Sequence, residues 1–144
     1  MRTRPQRLDK GSNAGYNDDG KMVPSKPAKV LIVDDELSIT NFIADIVRLL
    51  GCETRVLTSG SKVLAMAKEW KPDLITLDVM MPAPGGVEVL NELKSDPETA
   101  SIPVFIVSVV ANQLAGKLHQ AQAIFPKPID TKEFIEQVRK TCRP

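Results

Sequence analysis

The sequence predicts an α/β fold: a parallel five-stranded sheet with helices on both faces. Two observations carry that reading. Short apolar runs alternate with stretches of helical periodicity, and this happens five times over residues 28–144. In addition, the run Leu74, Ile75, Leu77, with Thr76 inside it, lies between Pro72 and Pro82 and is apolar without alternation, as suits a strand covered on both sides. About 117 residues arranged in this way bury roughly two-thirds of their unfolded surface, enough for an independent core.

The elements follow in order. "KVLIVDD" is the first strand and ends in acids. "ELSITNFIADIVRLLG" sets Ile39, Phe42, Ile43, Ile46, Val47 and Leu50 at helical spacing, with Gly51 as the stop. "ETRVLT" is a weaker second strand, and "SKVLAMAKEW" a helix with Val63, Met66, Ala67 and Trp70 on one face. "LITLD" is the third strand, followed by the stripe Val87, Leu90, Leu93 in "GGVEVLNELKSD". "IPVFIVSVV" is the strongest strand by composition, whereas "ANQLAGKLHQ" is a short, poorly periodic helix candidate. "AIFP" is the fifth strand, and "TKEFIEQVRKTC" closes the chain with Phe134, Ile135, Val138 and Cys142 on one side.

Composition narrows the function classes. The formal net charge of +1 makes no electrostatic case for direct nucleic-acid binding or for an anionic membrane. Residues 1–27 carry six basic side chains against three acidic ones. They hold little apolar content, so a disordered basic leader is expected, with the folded domain spanning 28–144. Cys52 and Cys142 have no metal-type or CxxC spacing and are expected as buried or half-buried free thiols. No apolar run approaches the ~18 residues of a membrane span and no signal peptide is evident, so a cytoplasmic protein is expected.

Ligands of open parallel sheets bind outside the carboxyl ends of the strands. Those ends hold Asp34 and Asp35 after the first strand, Asp78 after the third, Ser108 at the fourth and Lys127 after the fifth. Three carboxylates that repel one another suit a hard cation, and Mg²⁺ takes oxygen ligands. With a phosphoryl group added, the other residues acquire roles. Mg²⁺ and Lys127 neutralise its oxygens, Ser108 donates a hydrogen bond, and the central Asp78 serves as the nucleophile, forming an aspartyl-phosphate.

With "LIVDDE", "LITLDVMMP", "VFIVS" and "FPKPI" in order, the chain from about Lys29 to Arg143 resembles a response-regulator receiver domain of two-component signalling. The resemblance implies a flavodoxin-like fold of strand order 2-1-3-4-5. It implies Asp78 as phosphoacceptor, Asp34 and Asp35 as the metal pair with Asp78, Met80 as a ligand through its carbonyl, Ser108 and Lys127 as the signalling pair, and Mg²⁺ as cofactor. It further implies a sensor histidine kinase or histidine phosphotransfer protein as donor, a cis bond at Lys127–Pro128, and output through the fourth helix, fifth strand and fifth helix. That output goes to an unidentified protein target, or into a homodimer. Because the last helix ends at Pro144, a single-domain regulator is expected.

Three positions depart from the family's pattern. Ile124 stands where an aromatic ring is usual, so either Phe125 substitutes for it or the face signals without a ring. Val109 replaces a small residue after the switch hydroxyl, and the connection from Ser108 to Lys127 is short, so its helix is expected to be short or irregular. With Met80 also apolar beside the path of the attacking water, slow self-dephosphorylation is expected.

Blander readings exist for each residue taken singly. Asp34 and Asp35 would serve as helix N-terminal acids, Ser108 as a strand-end hydroxyl and Lys127 as a surface lysine; only the ensemble overturns them. The main alternative is a pseudo-receiver, an interaction module not regulated by phosphorylation. An aspartyl-nucleophile phosphohydrolase would need an acid where Met80 stands, and a flavin carrier of this fold would need a Ser/Thr-rich phosphate loop.

Overall fold

The computed structural model describes residues 14–16, 22–24 and 26–142. Two short strands, β1 (Ala14–Tyr16) and β2 (Met22–Pro24), pair antiparallel. The leader expected to be disordered otherwise lies largely outside the described residues. From Lys29 onward the chain runs β3 (Lys29–Val33), α1 (Leu37–Leu49), β4 (Glu53–Leu57), α2 (Val63–Trp70), β5 (Leu74–Leu77), α3 (Gly86–Ser95), β6 (Val104–Ser108), β7 (Ala123–Pro126) and α4 (Thr131–Thr141).

The five strands from β3 onward form one parallel sheet ordered β4-β3-β5-β6-β7. Counted from β3, that is the 2-1-3-4-5 order of the flavodoxin-like fold. The central strands β3, β5 and β6 are buried almost throughout, and alternate residues feed opposite layers. Leu31, Val33, Ile75, Leu77 and Ile106 pack with Val63, Leu90 and Leu93 of α2 and α3. Val30, Ile32, Leu74, Phe105 and Val107 pack with Ile43 and Val47 of α1 and Phe134 and Val138 of α4. Edge strand β4 is half-exposed, which accounts for its weak pattern in the sequence.

Local chemistry sets the element ends. Gly51, in the left-handed region at φ 89°, stops α1, and the Cys52 N–H turns back to the Val47 carbonyl. Ser59 caps a 3₁₀ turn that leads into α2. Asp130 caps α4 by accepting from the Glu133 N–H at 3.2 Å.

The helix expected over "ANQLAGKLHQ" does not form. Residues 109–122 are turns with a single 3₁₀ turn at Ala115–Lys117. Their N–H groups reach back mostly three residues, Gln113 to Val110, Lys117 to Leu114 and Ala121 to Leu118. Gly116 interrupts the stretch, and its fully buried anchors are Ala111 and Leu118, seven residues apart, too few for an apolar stripe.

Candidate functional site

The parallel ladder extends one bond past the strands and brings the site together. The Asp34 N–H donates to the Leu57 carbonyl at 3.2 Å, Asp78 to Val33 at 3.0 Å and Lys127 to Ser108 at 3.2 Å. Asp34, Asp78 and Ser108 are buried at these strand ends, while Asp35 is exposed. One carboxylate oxygen from each of Asp34, Asp35 and Asp78 lies within 4.8 Å of the others. Lys127 follows β7 and leads into a cis bond to Pro128, as expected; a second cis bond, Ala83–Pro84, lies in the loop after β5.

Lys127 Nζ sits 2.8 Å from Asp34 Oδ2, 3.6 Å from Glu36 Oε1 and 3.7 Å from Asp78 Oδ2. Asp34 Oδ1 also accepts from the Glu36 N–H at 2.9 Å, and Asp78 Oδ1 from the Met80 N–H at 3.2 Å. Burial pushes the Asp34 carboxyl above its ordinary value, more than Lys127 and the Glu36 N–H pull it down, and the charge of Asp78 adds to the rise. For Lys127, burial works against the ammonium, but the bond to Asp34 and the fields of Asp78, Asp34 and Glu36 outweigh it and leave its pKa raised. One ammonium thus faces a crowd of carboxylates. Their all-oxygen donor set and excess negative charge fit a hard divalent cation such as Mg²⁺.

Of the residues singled out from sequence, Asp34, Asp35, Asp78 and Lys127 converge. Ser108 ends the neighbouring strand, its hydroxyl 3.5 Å from the Val110 N–H, and Met80 and Val109 are exposed side chains flanking the strand ends, 57% and 64% accessible. Two further residues shape the site. Glu36, third acid of "LIVDDE", reaches Lys127. Gly86 starts α3 against the Asp78–Val79 backbone and donates its N–H to the Val79 carbonyl at 3.0 Å; a Cβ there would collide with the Asp78 carbonyl. Only the proximity of "GG" to Asp78 hinted at this in the sequence.

The alternation of the sheet also answers the question of the missing ring. Ile124 packs on the α2–α3 side, together with Val104 and Ile106. Phe125 points to the opposite layer, where it joins Phe105 and Phe134 at centroid distances of 5.3 and 5.2 Å. Phe125 therefore does not stand in for an aromatic at Ile124.

Comparison with known proteins gives the family and the fold. The family model described as the response regulator receiver domain matches residues 30–139. The polar-differentiation response regulator DivK of Brucella anthropi is 34% identical over 118 residues, covering 78% of this chain and 94% of that protein. The DNA-binding dual master transcriptional regulator RpaA of Synechocystis is 30% identical, covering 80% of this chain and 49% of its own length. The chain thus spans about half the length of RpaA and nearly all of DivK. Among solved structures, the Francisella response regulator 1452 receiver domain superposes with a TM-score of 0.72 at 27% identity, covering 81% of this chain and 97% of that one. The chemotaxis protein CheY4 of Vibrio cholerae gives a TM-score of 0.73 at 23% identity, covering 80% and 98%, a likeness of fold.

Proposed function

The chain belongs to the response regulator receiver domain family of two-component signalling, and on that premise we propose that it is a switch phosphorylated on Asp78. The observation that supports this most is the meeting of Asp34, Asp35, Asp78 and Lys127 at the carboxyl ends of β3, β5 and β7. In the proposed reaction, a carboxylate oxygen of Asp78 attacks the phosphorus of a donor in line. The new O–P bond forms as the bond to the leaving group breaks, and the leaving group keeps the electron pair. The physiological donor in this reading is a sensor histidine kinase or histidine phosphotransfer protein.

Asp34, Asp35 and Asp78, with the Met80 carbonyl, are the proposed holders of Mg²⁺, which when bound supplies charge neutralisation at the phosphoryl oxygens. Lys127, already drawn toward Asp34 and Asp78, contributes a second positive charge to those oxygens. Ser108 supplies a hydroxyl to a phosphoryl oxygen and in doing so pulls the segment after β6. That movement biases a pre-existing equilibrium of the face made by residues 109–122, β7 and α4. The output is contact with another protein in the cytoplasm. Met80 and Val109, both apolar and exposed beside the strand ends, offer no group to orient a hydrolytic water, so the phosphoryl group is long-lived.

The test is intact-mass spectrometry after incubation with acetyl phosphate and Mg²⁺. A single Mg²⁺-dependent gain of about 80 Da, absent in Asp78→Asn, supports the switch. Absence of the adduct, with no conformational response to beryllofluoride, overturns it and leaves an interaction module without phosphorylation.

A further inference from the structure

We infer that Cys52 and Cys142 form a redox-responsive thiol pair that can close a disulfide between the ends of α1 and α4. They are the only cysteines of the chain, and both are free and half-buried. The topology, rather than the sequence spacing, places both at one edge of the sheet and against one apolar layer. Cys52 follows Gly51 at the C-terminal end of α1, where its N–H bonds the Val47 carbonyl, and it immediately precedes β4. Cys142 is the C-terminal cap of α4, its N–H bonded to the Val138 carbonyl at 2.8 Å. Both helices cover the same face of the sheet and run back against the strands, so both ends arrive at the amino edge of the sheet, opposite the phosphorylation site. Val47 and Val138, one turn before each cysteine, are buried in a single apolar layer, and both thiols pack against that layer.

Asp73, just before β5, lies at this edge and accepts from the Lys29 N–H, and Glu53 follows Cys52 at the start of β4. Burial pushes the Cys142 thiol up to about 12, with the charges of Cys52 and Asp73 adding to it, and burial together with Asp73 raises Cys52 as well. Each thiol thus senses the same carboxylate, and Cys142 senses Cys52. Thiols of this kind are poor nucleophiles near neutral pH, so the pair reacts slowly with a disulfide oxidant there and faster as pH rises. The exchange balances in two steps. One thiolate attacks a disulfide RSSR and expels RS⁻, giving a mixed disulfide. The second thiolate attacks the protein sulfur of that mixed disulfide and expels a second RS⁻. In sum, two protein thiols become one disulfide and RSSR becomes two RSH, with no other reactant. The bond would tie the last helix, part of the proposed output face, to the end of the first.

The experiment uses the full chain with glutathione disulfide at pH 8.5, followed by intact-mass spectrometry under non-reducing conditions. The expected result is a monomer lighter by about 2 Da, with titratable thiols falling from two to none and both changes reversed by dithiothreitol. Cys52→Ser and Cys142→Ser should each stop at one glutathione adduct, and the oxidised wild type should melt at a higher temperature than either variant. Two stable glutathione adducts, a disulfide-linked dimer, or unreacted thiols in protein that reacts fully once denatured would each overturn the inference. None of these readouts depends on phosphorylation, so failure here and failure of the Asp78 switch are separable.

Discussion

At the scale of single residues, the interior departs from full polar satisfaction at Thr76. This side chain sits inside β5, and its hydroxyl has no hydrogen-bond partner among the described residues. A buried hydroxyl without a partner costs about 1–3 kcal/mol in protein mutational data. Replacing it with a methyl of nearly the same shape, Thr76→Val, should stabilise the protein by about 1 kcal/mol. Urea denaturation checks this, and a lowered midpoint would mean that the hydroxyl is solvated or bonded in solution. Cys142 gives the pH prediction. Its thiol holds a proton up to about 12 in the folded chain, against 9.0 for an ordinary thiol. The folded state therefore binds more protons between those values, and this contribution to stability, complete below the ordinary value, is lost as pH rises toward the folded one. In Cys52→Ser, alkylation of the folded protein should keep accelerating about tenfold per pH unit well past the point where the denatured chain levels off. A plateau shared by both states would refute it.

Single elements show which signals the sequence carried and which it could not. Strands β3, β5 and β6 were legible because burial on both faces leaves unbroken apolar runs, and the acids at their ends stood out against those runs. The carboxylates and Lys127 could be placed because a parallel sheet puts every strand's carboxyl end on one edge. The exchange of partners there could not. That Lys127 pairs with Asp34 more closely than with Asp78, and that Glu36 joins them, depends on side-chain reach, which spacing does not encode. Nor could the sequence decide between a helix and turns over residues 109–122, where periodicity was weak and Gly116 sat in the middle. The anchors of that segment, Ala111 and Leu118, leave most of its remaining side chains at least partly exposed. Local opening should therefore cost less there than in the adjoining strand. Amides of 110–121 should exchange with solvent at least 100-fold faster than those of β6, as measured by native-state hydrogen exchange. Equal protection would show that the turns are as cooperative as the sheet. The start of α3 carries the opposite constraint. In Gly86→Ala, the added methyl must displace the Asp78–Val79 backbone, with a cost of about 1–3 kcal/mol and loss of the phosphoryl adduct. A variant of wild-type stability that phosphorylates normally would show that the loop yields.

Across the whole molecule, the two apolar layers and the charged strand ends pull in opposite directions. The sheet buries one continuous face against α1 and α4 and another against α2 and α3, which favours folding everywhere. At the carboxyl edge the same folding brings three carboxylates within 4.8 Å of one another, two of them buried, with Lys127 as the ammonium that contacts the buried two among the described residues. Like charges at that spacing oppose folding, as does their burial: desolvation is the main cause that raises the Asp34 pKa, and the charge of Asp78 adds to it. The site should therefore be a local cost in stability that a bound cation removes. Without divalent metal, Asp78→Asn should be more stable than the wild type by about 1 kcal/mol, because one buried charge is gone while Asp34 keeps Lys127. With Mg²⁺ at about 100 times its dissociation constant, the wild type gains about 2.7 kcal/mol by mass action, and the variant, short of one ligand, gains less. The order of stabilities should then reverse. Thermal melts of both proteins in EDTA and in a magnesium series measure the crossing. If the wild type is the more stable even in EDTA, the carboxylates are compensated within the fold itself, and the edge is not held in tension for a cation.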